Sequence, residues 1–135
     1  MSDNCLKDIA DYLIIYASDV VSQLGVDIFI DNMPDEPDDC VSLNEYPGEV
    51  SFLGNNVLRS VQVKVKNSNY NTARVNVNKI FNILYNPENG IRFITIDSTR
   101  WIQVSPRGAP FHLEKDESGR EYFVFNMGVN TNRDS

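Results

Sequence analysis

Four carboxylates crowd the stretch MPDEPDDCVSL at residues 33–43: Asp35, Glu36, Asp38 and Asp39, with Cys40 directly behind them. Hard oxygen donors at this density are the ligand type of Ca²⁺ and Mg²⁺. The spacing lacks the alternating acids, central glycine and closing glutamate of an EF-hand loop. A structural zinc site needs Cys and His groups, and only Cys40 is near. Carboxylates for glycoside hydrolysis pair in space rather than in sequence, and nothing in the chain points to such a pair. Two prolines and the abrupt change to apolar Val41 and Leu43 make a solvated acidic turn, leading into a strand, the simpler reading.

Other chemistries fare less well. His112 is the single histidine, so any Ser–His or Cys–His couple must use it. In FHLEK the alternation sets it opposite the Phe111 and Leu113 face, toward solvent. No GxSxG, Walker or GxGxxG pattern is present. Lys64, Lys66, Arg74 and Lys79, with Tyr70 nearby, form one basic grouping. The charged exterior of a one-sided sheet accounts for it without a nucleic acid. The net charge of −7, from 12 basic and 19 acidic residues, argues against phosphate neutralisation by clustered Lys and Arg.

The chain as a whole sets the frame. Its 135 residues suit one domain, spanning 1–135, with a core that needs neither disulfide nor metal. A hydrophobic share of 41% is that of a soluble globular chain. Cys5 and Cys40 fit no CxxC pattern and read as reduced structural residues. The N-terminal apolar run is interrupted by Asp8, Asp11 and Asp19 and has no basic lead-in. It reads as neither a signal peptide nor a membrane span, and the expected setting is a cytoplasm.

The elements that must position these residues follow from periodicity. Leu6, Ile9, Ala10, Leu13, Ala17, Val20, Val21 and Leu24 recur at helical spacing, capped by Ser2 or Asp3 and stopped at Gly25. VDIFID alternates as a strand with one wet face. After the acidic turn, CVSLNEY resumes as a strand and PGEVSFLGNN reads as a loop. SVQVKVK is the clearest strand, with Val61, Val63 and Val65 inward and Gln62, Lys64 and Lys66 outward. Ala73, Val77, Ile80, Phe81 and Leu84 mark a second helix, capped by Asn69 or Asn71 and ended by Pro87 and Gly90. IRFITI and WIQV are strands around a polar turn at 97–99, with Trp101 in the core. SPRGAP is a loop. FHLEKDESGREYFVFNM is a hairpin turning at 116–119, and residues 130–135 read as a frayed tail. Strand runs beside two amphipathic helices predict an α+β fold, a mostly antiparallel sheet flanked by the helices.

Three stretches taken together carry a resemblance. MPDEPDDCVSLNEYPGE is a proline-and-acid turn entering a strand. SVQVKVKNSNYNTARVNVNKIFNIL is a basic-faced strand turning into a helix through a Tyr–x–x–Ala step. GREYFVFNMGVNTNR is a late hairpin arm. In this order, behind an N-terminal amphipathic helix, they resemble the tail terminator proteins of long-tailed bacteriophages, also called minor capsid or tail-to-head joining proteins. The resemblance implies a small α+β domain that assembles as a six-fold ring on the end of the tail tube. Such a ring halts tube polymerisation and offers a surface to the head connector. It implies a virion component assembled in the host cytoplasm, with no catalysis, cofactor, membrane or sequence-specific nucleic acid. One departure is EYPGEV, where the family often has a Gly-rich turn.

A ring needs heterologous contacts. Residues 31–49 hold seven acids and no Lys or Arg, while Arg59, Lys64, Lys66 and Arg74 lie elsewhere. Complementary patches of this kind favour head-to-tail closure. The expected interface set is therefore Asp35, Glu36, Asp38 and Asp39, opposed by those four cations. YPGEVSFLGNNVLR and SPRGAPFHLEKDESGRE are further candidates for partner contact, and Arg107 and Arg120 of the second could meet an acidic surface. The alternative is a small cytoplasmic binding module or another head or neck completion protein, also without catalysis.

Overall fold

A computed structural model describes residues 3–45, 51–53, 56–96 and 101–131. Among these, the order is α1 (Asp3–Tyr16), β1 (Ile28–Ile30), β2 (Cys40–Glu45), β3 (Ser51–Leu53), β4 (Asn56–Asn67), α2 (Tyr70–Leu84), β5 (Arg92–Thr95), β6 (Trp101–Pro106), β7 (Phe111–Lys115) and β8 (Glu121–Thr131). The eight strands form a single sheet in the order β1-β2-β4-β8-β6-β5, with β3 added beside β4 and β7 beside β8. β1 runs parallel to β2, and the other strand pairs are antiparallel. The architecture is α+β, as the strand and helix runs predict, with the sheet mixed at its β1 end.

Two long strands organise everything else. β4 and β8 pair along their lengths, from Val57 opposite Thr131 to Asn67 opposite Glu121. β2 and β3 share the free edge of β4, and β6 and β7 share the free edge of β8. Alternation assigns the two faces. Val61, Val63 and Val65 of β4 meet Phe123, Phe125 and Met127 of β8 in the core, with Val41, Leu43, Ile102 and Val104 beside them. α1 contributes Leu6, Ile9, Ala10 and Leu13, and α2 contributes Ala73, Val77, Ile80 and Leu84. The helices thus cover one face, which we call inner. The outer face presents Ser60, Gln62, Lys64 and Lys66 of β4 beside Tyr122, Val124, Asn126 and Gly128 of β8.

The helix ends have local causes. Asn69 caps α2, its side-chain oxygen accepting from Thr72 N at 3.0 Å. α2 leaves the helix at Tyr85, which is already extended, ahead of Pro87. α1 stops at Tyr16, eight residues before the periodicity predicts. Ala17 and Val21 stay buried, so the apolar pattern persists while the backbone turns. Further along, the Asp27 carboxylate accepts from Ser22 N at 2.9 Å and Gln23 N at 3.0 Å, giving these amides a partner outside any helix. Gly25, at φ 87°, lies in the turn before β1, and its N–H donates to Ile28 O.

Three further expectations change. SFL, read as loop, is strand β3, paired with the start of β4. Residues 130 and 131 continue β8 instead of fraying: Thr131 is buried and pairs with both Val57 and Ile102. Trp101 is half-buried and stacks on the exposed Phe93 at 5.4 Å, so it is no core residue. The EYPGEV departure at 45–50 and the turn at 97–99 lie, apart from Glu45, outside the described residues.

Candidate functional site

The acidic stretch is folded onto the sheet. β1 ends at Ile30, and Asp31 turns the chain with a φ of 60°. Residues 32–39 then cross the outer face at the end where β4 finishes and β8 begins. Lys66 waits there. Its place in the β4 alternation is outward, as predicted, yet only 1% of it is exposed. The loop covers it, and its ammonium donates to Pro34 O at 2.6 Å and Asp35 O at 2.9 Å. A charge this buried needs such acceptors.

Arg120 grips the same loop from β8's end. Its side chain is 10% exposed, and Nη2 meets Asp35 Oδ1 at 2.7 Å. Nη1 donates to the Asp35 carbonyl and reaches Asp38 Oδ1 at 3.4 Å. Nε donates to Asp116 Oδ2 at 2.9 Å. Asp116 is the second anchor. It also accepts from Ser118 N and Arg120 N, each at 3.0 Å, and from the Tyr122 hydroxyl at 2.9 Å. Burial alone would raise the Asp116 pKa. The Arg120 N–H, the Tyr122 hydroxyl and the Arg120 charge outweigh it and hold this carboxyl below its ordinary range. Burial, with the hydrogen bond to Asp116, pushes Tyr122 up to about 12. The Asp35 contact foremost, against some desolvation, drives the Arg120 pKa still higher than usual, so the guanidinium is always charged.

Asp39 and Cys40 fasten the loop's other end. Asp39 Oδ1 accepts from Ser68 N at 3.0 Å and Ser68 Oγ at 3.3 Å. Cys40 Sγ lies 3.4 Å from Met33 Sδ, and burial raises its thiol pKa. The peptide bond between Glu36 and Pro37 is cis. The result is a fixed backbone with its acids turned outward: the side chains of Asp35 and Asp38 are 83% and 65% exposed, and Glu36 is exposed too.

The remaining sequence candidates scatter. Arg59 pairs with Glu45 at 2.7 Å. Lys64 lies half-buried on the outer face, and Arg74 is exposed on α2. Arg107 follows β6 and lies over Gly128. The structure therefore brings Asp35, Asp38, Lys66 and Arg120 together within one chain and leaves Lys64, Arg74 and Arg107 apart from them. His112 meets Glu121 at 2.8 Å and packs between Tyr70 and Phe123. Among the described residues no group of three or more His, Cys, Asp or Glu is placed to hold a metal ion. Sequence reasoning missed Asp116 and Tyr122. DESGR carries the signal for Asp116, since an Asp that bonds a backbone N–H two residues on is a turn-former.

A preorganised loop on a rigid two-strand spine is the arrangement of a protein that presents a surface. The family comparison agrees: a model described as bacteriophage tail terminator protein matches residues 17–133, and the chain belongs to that family. A search of curated proteins returned no match. Family membership makes the chain a structural component of a phage tail that meets other virion proteins. Among the described residues no helix is long and apolar enough to cross a membrane.

Proposed function

We propose that this protein forms a six-fold ring on the end of the tail tube, stops the tube's polymerisation, and offers its far side to the head connector. Its partners are then further copies of itself, the tube protein and a connector or neck protein. Family membership carries this reading. The clamped acidic loop supports it physically. A ring repeats one contact at every junction, and a loop fixed before assembly loses little conformational freedom on making it. The acids Asp35, Glu36 and Asp38 are the interface residues in this reading, and Lys66, Arg120 and Asp39 hold them in place.

The test is the mass of the purified protein by light scattering over a wide concentration range, with electron microscopy of the same samples. A ring of six times the 15.3 kDa chain is the expected species. Adding the protein to polymerising tail tubes should shorten them and place a collar at one end. Tubes that grow to the same length with and without it would overturn the terminator role.

A further inference from the structure

The outer face of the sheet has two unlike ends. The acidic loop occupies the end level with Lys66 and Tyr122. Arg107 occupies the other, level with Ser60 and Gly128. Its guanidinium rests on Gly128, where a β-carbon would come within 2.8 Å of Nη2. Nη1 donates to Ser60 Oγ at 3.2 Å, and the Arg107 N–H donates to Asn126 O at 2.9 Å. No carboxylate partners Arg107 among the described residues. A cleft of about 240 Å³, lined by Gln103, Ser105 and Asn130, opens on one side of it. Another of about 300 Å³, lined by Ala109, Phe111 and Asn126, opens on the other. From the Ser60 level to the Lys64 level the residues that β2, β4, β6, β7 and β8 place on this face are amides, hydroxyls, apolar groups and cations. Not one is a carboxylate, in a chain of net charge −7.

Ser60 and Lys66 stand six positions apart along β4, which is about 20 Å of strand. Lys66, Arg120 and Ser68 hold the loop at its own end. Its carboxylates therefore cannot reach Arg107 of the same chain. A second copy can supply them. We infer that the acidic loop of one copy docks on the Arg107 end of the outer sheet face of the next. The two partners use different surfaces, so the contact propagates head to tail and closes where the rotation permits. This rests on the ring reading and names its subunit contact. Asp35, Glu36 and Asp38 are exposed enough to meet a second cation while the carbonyls of Pro34 and Asp35 stay bound to Lys66. Asn130 Nδ2 donates to Gln103 Oε1 at 3.3 Å, which leaves Gln103 Nε2 as a donor for a carboxylate. The acid-free face removes the like-charge repulsion that would oppose approach.

The test uses the full chain. Glu36→Cys combined with Ala109→Cys puts one thiol on each proposed partner surface, both at exposed positions. Mild oxidation should give an inter-chain ladder from the double variant and none from either single variant, which controls for the native Cys5 and Cys40. Arg107→Glu should weaken association about tenfold or more, and adding Asp38→Lys to it should restore assembly. Circular dichroism reports folding, and the cross-link decides the matter even where a charge variant misfolds. An oligomer that forms without the ladder overturns this contact and leaves the ring standing. A protein that stays monomeric both alone and on tail-tube ends overturns both.

Discussion

Arg120 Nη2 lies 2.7 Å from Asp35 Oδ1, across 85 residues of sequence. This one ion pair ties the loop between β1 and β2 to the hairpin between β7 and β8. Arg120 holds it alongside bonds to Asp116, Asp38 and the Asp35 carbonyl, a fork that only a planar guanidinium can serve. Arg120→Lys keeps the charge and loses the fork. Hydrogen exchange at the amides of residues 33, 35, 36, 38 and 39 should quicken by about tenfold, with the β4–β8 ladder little changed. Equal exchange in the two proteins would mean that Lys66 and the Asp39–Ser68 bonds set the loop without Arg120.

Lys66 is the harder of the two to replace, because its acceptors are backbone. Lys66→Met removes the buried charge and strands the Pro34 carbonyl, while the Asp35 carbonyl keeps Arg120 as its donor. An unsatisfied buried acceptor costs about 1–3 kcal/mol, partly offset here by no longer burying an ammonium. A net loss of about 1–2 kcal/mol in urea unfolding is expected. Lys64→Met, two residues away on the same face, should stay within about 0.5 kcal/mol.

These two residues also show what the sequence could convey. The alternation of SVQVKVK put Lys64 and Lys66 on the same outward face, and the structure agrees. Alternation carries no information about a distant loop that folds over one of them, so Lys66 read as solvated. The acidic run and the cations read as opposed patches on separate surfaces. In the fold Asp35 and Asp38 meet Arg120, and Lys66 takes the loop's backbone, within one chain. Local pattern sets the face, and only tertiary pairing, between residues such as 35 and 120, sets the partner. The overlong first helix is a like case. Ala17 and Val21 keep helical spacing, while Asp27, further along, gives the Ser22 and Gln23 amides a partner outside any helix.

Asp116 and Tyr122 titrate at opposite ends of the pH scale, and both tie stability to pH. The folded Asp116 carboxyl is held below its ordinary 3.8. Its contribution is full above that value and is lost as pH falls through the lowered one. Tyr122 is raised from 10.0 to about 12, so its contribution is full below pH 10 and is lost as pH rises toward 12. Urea midpoints measured across pH should fall at both ends. Tyr122→Phe should flatten the alkaline fall, and Asp116→Asn the acid one. An alkaline limb unchanged in Tyr122→Phe would place its cause in another group.

Gly128 separates folding from assembly. A β-carbon there would stand 2.8 Å from Nη2 and 3.2 Å from Nε of Arg107, and these are atoms of a flexible side chain. Arg107 can swing away at little cost in stability. Gly in a strand interior is itself unfavourable, so Gly128→Ala should leave the melting temperature unchanged or slightly higher. What moves is the guanidinium, off the floor of its clefts and away from Ser60. On the proposed contact, that displacement weakens association between copies in light scattering while the fold holds. A Gly128→Ala protein that assembles as tightly as the parent would show that Arg107 needs no fixed seat to bind its partner, and the cleft geometry would then carry no part of the interface.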